Sequence, residues 1–224
     1  MDTERLNRIF GLGPKKLLEL KRYYGVRNVT TLRNYLQKFP DLLTDTQKIG
    51  LKYYKYLKKK IPYSEAEKHM KYITKYVKSA VPTGSFRREV KYLNDLDIII
   101  SIPIDEFIEF FKKKNYILEI LQKGDCTASV LVSSGGENIR QLDIFYTKKT
   151  NLCFMLFYTT GNKLFNIYTR KLAKKLGYVL SQNGLMSIKT EKYISNIHTE
   201  KDIFKFLKID YVEPVNRELI KNTF

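Results

Sequence analysis

Asp95 and Asp97 stand two residues apart, directly ahead of the apolar run Ile98-Ile99-Ile100. On a strand, residues two apart point to one face. That spacing presents two carboxylates side by side. Paired hard oxygen ligands suit Mg²⁺, an ion that holds the phosphates of nucleotides. Upstream, Gly84-Ser85 reads as a turn offering backbone N–H groups and a hydroxyl to those phosphates. Asp143, in Arg140-Gln141-Leu142-Asp143-Ile144-Phe145, is the acid on a neighbouring strand that would complete a two-metal site. Such a site supports nucleotidyl transfer. One metal lowers the pKa of an attacking 3′-hydroxyl, and the other neutralises the triphosphate and the leaving pyrophosphate. Two such ions sit about 3.5–4 Å apart, so the three carboxylates are expected to converge. Arg88, Lys60 and Ser85 are candidates for holding the β- and γ-phosphates, Arg88 in a bidentate manner. Asp-x-Asp alone also fits a solvent-facing pair at a strand edge, and Lys60 also fits plain surface charge.

The elements that must position these residues follow from local pattern. Residues 1–60 read as short helices, with Pro14 as a first helical residue and Gly25 closing that helix. Ser64-Glu65-Ala66-Glu67 has the form of a capping box with Ser64 as N-cap. Ala66, Met70, Ile73 and Val77 then mark one helical face. Strands are expected at about 95–102, 116–122, 127–133 and 139–146, with a helix from Asp105 to Lys114 between the first two. Ser134-Gly135-Gly136 marks a hairpin turn and Asn183-Gly184 another. Residues 163–176 and 200–208 read as helices. The fold class is therefore α+β.

With 224 residues and 43% hydrophobic content the chain can bury a sizeable core. Its net charge of +18 points to a polyanionic partner. Residues 1–80 hold 19 Lys/Arg against 7 Asp/Glu, so most of that charge sits in the N-terminal third. Cys126 and Cys153 form no CxxC pair and His is scarce, which argues against a disulfide framework and a structural zinc. A reducing intracellular setting, nucleus or cytoplasm, is expected, with a viral or parasitic genome compatible. No apolar run reaches membrane-spanning length and no secretory signal is visible, so no membrane partner is expected. Lys58-Lys59-Lys60 reads better as the solvated end of a basic helix than as a nuclear signal.

Residues 6–26, LNRIFGLGPKKLLELKRYYGV, fit a helix-hairpin-helix. Gly11 and Gly13 let the backbone approach a phosphate closely, and the following helix start directs free N–H groups at it. Lys15, Lys16, Lys21 and Arg22 flank that turn and favour DNA over an ordinary interhelical turn. The grip would be blind to base sequence.

Taken together, these segments resemble the family X DNA polymerases, the polymerase beta group, from about Leu6 to Pro214. The hairpin, residues 44–62, the TGSFRR stretch with its two aspartates, the Asp143 strand, FYTTGNKLFNIYTR at 157–170 and residues 199–214 carry the resemblance in order. It implies a nucleotidyltransferase palm with a mixed β-sheet over 63–147. An all-helical, fingers-like DNA-binding subdomain would precede it over 1–62, and a small α+β nucleotide-selecting subdomain would follow over 148–224. It implies Asp95, Asp97 and Asp143 as ligands of two Mg²⁺ (Mn²⁺ as substitute), with Asp143 also the general base. Lys60, Gly84, Ser85, Arg88 and Asn94 would lie along the triphosphate. Tyr158, Thr159 and Gly161 would lie under the incoming sugar, with Lys163 and Asn166 at the base. Arg140, Gln141 and Arg170 would touch DNA, as would Gly11, Gly13, Lys15 and Lys16. Backbone carbonyls at Asn7, Ile9 and Leu12 would hold a monovalent cation, Na⁺ or K⁺, bridging to a DNA phosphate.

The same resemblance implies a monomeric, template-directed polymerase that takes dNTPs on gapped or primed duplex. A template-independent or ribonucleotide-tolerant transferase is the first alternative, and a non-catalytic DNA-binding scaffold the second. The family's lyase domain is expected to be absent, and its activity with it. Several positions depart from the family pattern: Asn94 replaces a glycine, Lys60, Gln141 and Phe145 replace arginines, Lys163 replaces an acid and Thr159 an aromatic.

Overall fold

The structure, a computed structural model, describes residues 5–135 and 138–219, with Leu219 by its backbone alone. Gly136 of the expected hairpin lies outside them. The N-terminal part is helical: a 3-10 turn at Leu6–Arg8, then α1 (Pro14–Tyr24), α2 (Val29–Lys38), α3 (Asp45–Lys52) and α4 (Tyr54–Leu57). Gly25 ends α1 in the left-handed region at φ 62°, as its lack of a Cβ allows. Asn28 and Thr44 open α2 and α3 through reciprocal capping boxes. Leu20, Val26, Val29 and Leu32 are fully buried in the cluster these helices share.

Next come β1 (Ile61–Pro62), α5 (Tyr63–Tyr76), β2 (Val81–Pro82), α6 (Gly84–Arg87), β3 (Tyr92–Leu93), β4 (Leu96–Ile100) and α7 (Ile104–Lys113). They are followed by β5 (Ile117–Lys123), β6 (Thr127–Val132) and β7 (Arg140–Tyr146). The five-stranded sheet runs in the order β2-β4-β7-β6-β5. Its β4–β7 pair is parallel and its other pairs antiparallel, so the sheet is mixed. Ile98, Ile99 and Ile100 are buried on both faces of β4, which explains their continuous apolar run. On α5, Ala66, Met70 and Ile73 face this core, as their spacing predicts.

Ser64 does not cap α5. The helix begins at Tyr63, with Pro62 as its N-cap and no side-chain cap bond. Ile61 and Pro62 pair with Leu93 and Tyr92, and the Tyr63 N–H donates to Lys91 O at 3.2 Å. Strand pairing therefore sets the helix start two residues early. Glu67, the other half of the expected box, pairs with Lys71 at 3.2 Å instead.

The C-terminal part holds α8 (Leu152–Thr160), α9 (Lys163–Lys175), the hairpin β8 (Tyr178–Ser181) and β9 (Gly184–Ser187), and α10 (Glu200–Phe206). Phe157, Phe165 and Phe204 centre its core, with ring centroids 5.3–5.8 Å apart. The helical part docks on the edge strand β5: Lys52 Nζ lies 3.1 Å and Tyr53 Oη 3.2 Å from Glu119 Oε1, and Thr46 Oγ1 donates to Leu121 O at 3.1 Å. No described helix is long and apolar enough to cross a membrane.

His69 on α5 is buried, with Nδ1 2.7 Å from the Tyr116 hydroxyl. Burial pushes its pKa down to about 4, with Glu65 opposing and Arg140 adding to the shift. Below about pH 6.5 the unfolded chain takes up a proton that the folded His69 refuses. The His69 contribution to stability should thus fall by about 3 kcal/mol as pH drops from 6.5 to about 4, then level off as the native state protonates. Denaturant titrations across that range should show this contribution as the difference in slope between the native sequence and His69→Gln.

Candidate active site

The site forms where α6, β4 and β7 meet. Parallel pairing puts Asp97 of β4 directly beside Asp143 of β7 in the register. Asp95 lies on the bend one residue before β4, which starts at Leu96 rather than at Asp95. The Thr83 N–H donates to Asp97 O at 3.0 Å, which ties the Gly84-Ser85 turn to this strand. Gly84 takes φ +62°, and a Cβ built there would fall 1.8 Å from Asp97 Oδ2. Only glycine allows this turn to lie against the carboxylate. Ser85 Oγ is buried and has no hydrogen-bond partner among the described residues. A buried hydroxyl without a partner costs about 1–3 kcal/mol, which a ligand oxygen would recover.

Burial lifts the carboxyl pKa values of all three acids. Asp95 is raised by burial and by the Asp143 charge, with Lys60 and Arg88 opposing. Asp97 is raised well above the usual range by burial, then by Asp95 and Asp143. Asp143 is raised by burial, while hydrogen bonds from Ser129 and Gln141 pull it back. Both donors use the same oxygen: Ser129 Oγ at 2.6 Å and Gln141 Nε2 at 2.9 Å from Asp143 Oδ1.

The expected convergence of the three acids is incomplete. Among the described residues no three His, Cys, Asp or Glu side chains form a ready-made metal cage. The donor set nevertheless fits divalent cations: three hard carboxylates, each with its charge disfavoured by burial, beside a partnerless hydroxyl.

Several other candidate residues are engaged within the protein. Lys60 Nζ donates to Asn94 Oδ1, so Asn94, where the family pattern has glycine, holds that cation near Asp95. Arg88 donates through Nε to Glu218 and through Nη1 to Thr160 O. Thr159 Oγ1 donates to Met155 O at 2.8 Å and lies 2.8 Å from Thr83 Oγ1, which ties α8 to the turn. Asn166 Nδ2 donates to Tyr158 O at 2.8 Å. The Arg170 guanidinium stacks 5.0 Å from the Tyr158 ring centroid. Gly161 caps α8 at φ +64°, and Lys163 is exposed at the start of α9.

Arg140 and Gln141, expected at the DNA, are engaged within the protein. Arg140 is 5% exposed and bidentate to Glu65, at 2.6 and 2.9 Å, with Lys59 O at 3.4 Å from Nη1. It braces β7 against α5. Gln141 donates one N–H to Asp143. Breaking a buried pair strands the remaining charge, so Arg140→Met should cost about 3–5 kcal/mol of unfolding free energy. The double variant Glu65→Leu/Arg140→Met should recover much of that loss in the same denaturant titration.

At the hairpin, Gly11 has φ +80° and its carbonyl accepts from Gln47 Nε2 at 2.9 Å. The first helix there is only the 3-10 turn Leu6–Arg8, which carries Asn7. Ile9 O already accepts from the Leu12 N–H at 3.2 Å. Gly13 caps α1, whose first turn carries Lys15 and Lys16 and no acid. Cations there oppose the helix dipole unless an anion joins them. Lys16 meets this in part through Glu19, at 2.7 Å.

Four residues that sequence reasoning missed join α6 to the C-terminal part. Arg87 donates to Thr160 Oγ1 at 2.7 Å and to Glu200 Oε2 at 2.5 Å. Arg217, fully buried, donates to Glu200 Oε1 at 3.0 Å and packs on Phe157, Phe165 and Phe204. Glu218 pairs with Arg88. The Thr199 and Asp202 capping box would have placed Glu200 on a helix, but not its partners.

A family model described as DNA polymerase beta thumb matches residues 155–218. DNA polymerase lambda of Arabidopsis thaliana is 28% identical over 94% of this chain, which spans 45% of that relative's length. The chain thus covers less than half of it. Repair DNA polymerase X of African swine fever virus (isolate Warthog/Namibia/Wart80/1980) is 30% identical over 62% of this chain and 82% of its own length. Leishmania infantum polymerase beta, in a ternary P/T complex, superposes with a TM-score of 0.86 at 23% identity, covering 95% of this chain and 96% of that one. That likeness establishes the fold, and the level of identity to the viral enzyme over most of its length establishes the lineage. The chain belongs to the family X DNA polymerases.

Proposed function

We propose that this chain is a template-directed DNA polymerase that adds dNTPs to a primer 3′-hydroxyl in short gaps during DNA repair. The observation that carries this is Asp97 and Asp143, in register on parallel strands, beneath a glycine turn with a partnerless buried hydroxyl. Asp95, Asp97 and Asp143 would hold two Mg²⁺, with Mn²⁺ as a substitute; when bound, these would neutralise the triphosphate and acidify the 3′-hydroxyl.

The chain's own residues supply the rest. Ser85 donates its hydroxyl to a phosphate oxygen. Arg88 grips the triphosphate as a fork, and Lys60 adds charge beside Asp95. Asp143 has Oδ1 committed to two donors, so Oδ2 is the atom that accepts the 3′-hydroxyl proton. Residues 158–161 back the incoming sugar, and Asn166 and Lys163 lie at the base. Arg170 approaches the template.

Residues 1–62 hold DNA through phosphates, with a Na⁺ or K⁺ at the Asn7, Ile9 and Leu12 carbonyls. Residues 63–147 form the catalytic palm and 148–224 select the nucleotide. The enzyme works as a monomer. Primer extension tests this, comparing gapped, primed and single-stranded DNA with dNTPs and NTPs. Complementary dNTP addition on templated substrates supports the reading. Equal extension without template, or equal use of NTPs, contradicts it.

A further inference from the structure

Arg88 is the guanidinium of the phosphate-gripping turn, and it is not idle in the nucleotide-free protein. Its side chain is 13% exposed, too buried for its charge to rest on water alone. Nε donates to Glu218 and Nη1 to Thr160 O. Arginine binds phosphate best through two parallel N–H groups of one edge. Glu218 occupies the Nε arm of the Nε–Nη2 edge, so that edge cannot take a phosphate while the pair stands.

The two partners of Arg88 differ in freedom. Thr160 O belongs to the end of α8 and moves only with the backbone. Glu218 is 41% exposed, on the short 3-10 segment Pro214–Leu219. Its neighbour Arg217 pins that segment. Arg217 is fully buried, donates Nε to Val212 O at 3.2 Å and Nη2 to Glu200, and its carbonyl accepts from Asn162 Nδ2 at 3.1 Å. The backbone is thus fixed and places a carboxylate over Arg88, while the Glu218 side chain alone can swing into solvent.

We propose that Glu218 is the resting counter-ion of Arg88, which the incoming triphosphate displaces, and that this exchange limits nucleotide affinity. The inference rests on the nucleotide site proposed above. Removing the Glu218 charge therefore strengthens nucleotide binding.

The test is a calorimetric titration of Mg²⁺–dATP into the full chain on a one-nucleotide gapped duplex. The template base is dT and the primer ends in a dideoxynucleotide, so no turnover occurs. Glu218→Gln should bind three- to tenfold tighter than the native sequence. In an Arg88→Ala background the same change should alter affinity less than twofold. Equal or weaker binding by Glu218→Gln, with the native protein binding normally, overturns the counter-ion role alone. A full gain that persists without Arg88 also overturns it, since the effect would then be general repulsion. No binding by any of the proteins overturns both this inference and the nucleotide site beneath it.

Discussion

Asp97→Asn is expected to reduce nucleotide incorporation by at least about a thousandfold while raising the melting temperature of the metal-free protein by about 3 °C. The two effects share one cause. Burial, reinforced by the Asp95 and Asp143 charges, disfavours the ionised form of Asp97. Folding therefore works against the ionisation of Asp97, which destabilises the protein in the absence of a cation. Asn keeps the shape and cannot ionise. Adding Mg²⁺ should raise the melting temperature of the native protein, because a ligand that binds only the folded state stabilises it. The response should shrink in the variant. A thermal scan with and without Mg²⁺ reads both effects; an equal Mg²⁺ response in the two proteins would count against Asp97 as a ligand.

Gly84→Ala should have the second-largest effect. The added methyl would fall 1.8 Å from Asp97 Oδ2 and 2.5 Å from its Cγ, on a backbone at φ +62°. The turn or the carboxylate has to move. We expect incorporation to fall on the order of a hundredfold, since small misplacement of a reacting group is costly. The loss of stability should be about 1–3 kcal/mol. Single-turnover incorporation and a denaturant midpoint check these. A loss of stability with normal incorporation would mean that the turn tolerates displacement and does not hold the phosphates.

Much of this site was legible in the sequence because its chemistry lies in short contiguous segments. The Ile98–Ile100 run announced a strand buried on both faces, and the alternation around Asp143 announced another. Their direct parallel pairing was not legible, since β5 and β6 intervene in the chain. Long-range partners account for the misreadings. Ser64 looked like a cap because Lys91, which takes the Tyr63 N–H, is remote in sequence. The Arg140–Glu65 pair was not legible either, because the two lie 75 residues apart. Glu218 gave no local signal, as its meaning depends wholly on Arg88. Helix α8 is apolar around most of its circumference, so no periodicity marked it.

If Asp95, Asp97 and Asp143 carry template-directed nucleotidyl transfer, removing one of them must abolish it. Asp143→Ala tests it most directly, by single-nucleotide insertion on a gapped duplex with Mg²⁺, alongside DNA retention at the same salt. The native protein should add the nucleotide complementary to the template. The variant should bind DNA within about twofold of the native protein, because Asp143 touches no phosphate in this account, and should add no nucleotide. Unchanged insertion by Asp143→Ala would contradict the account.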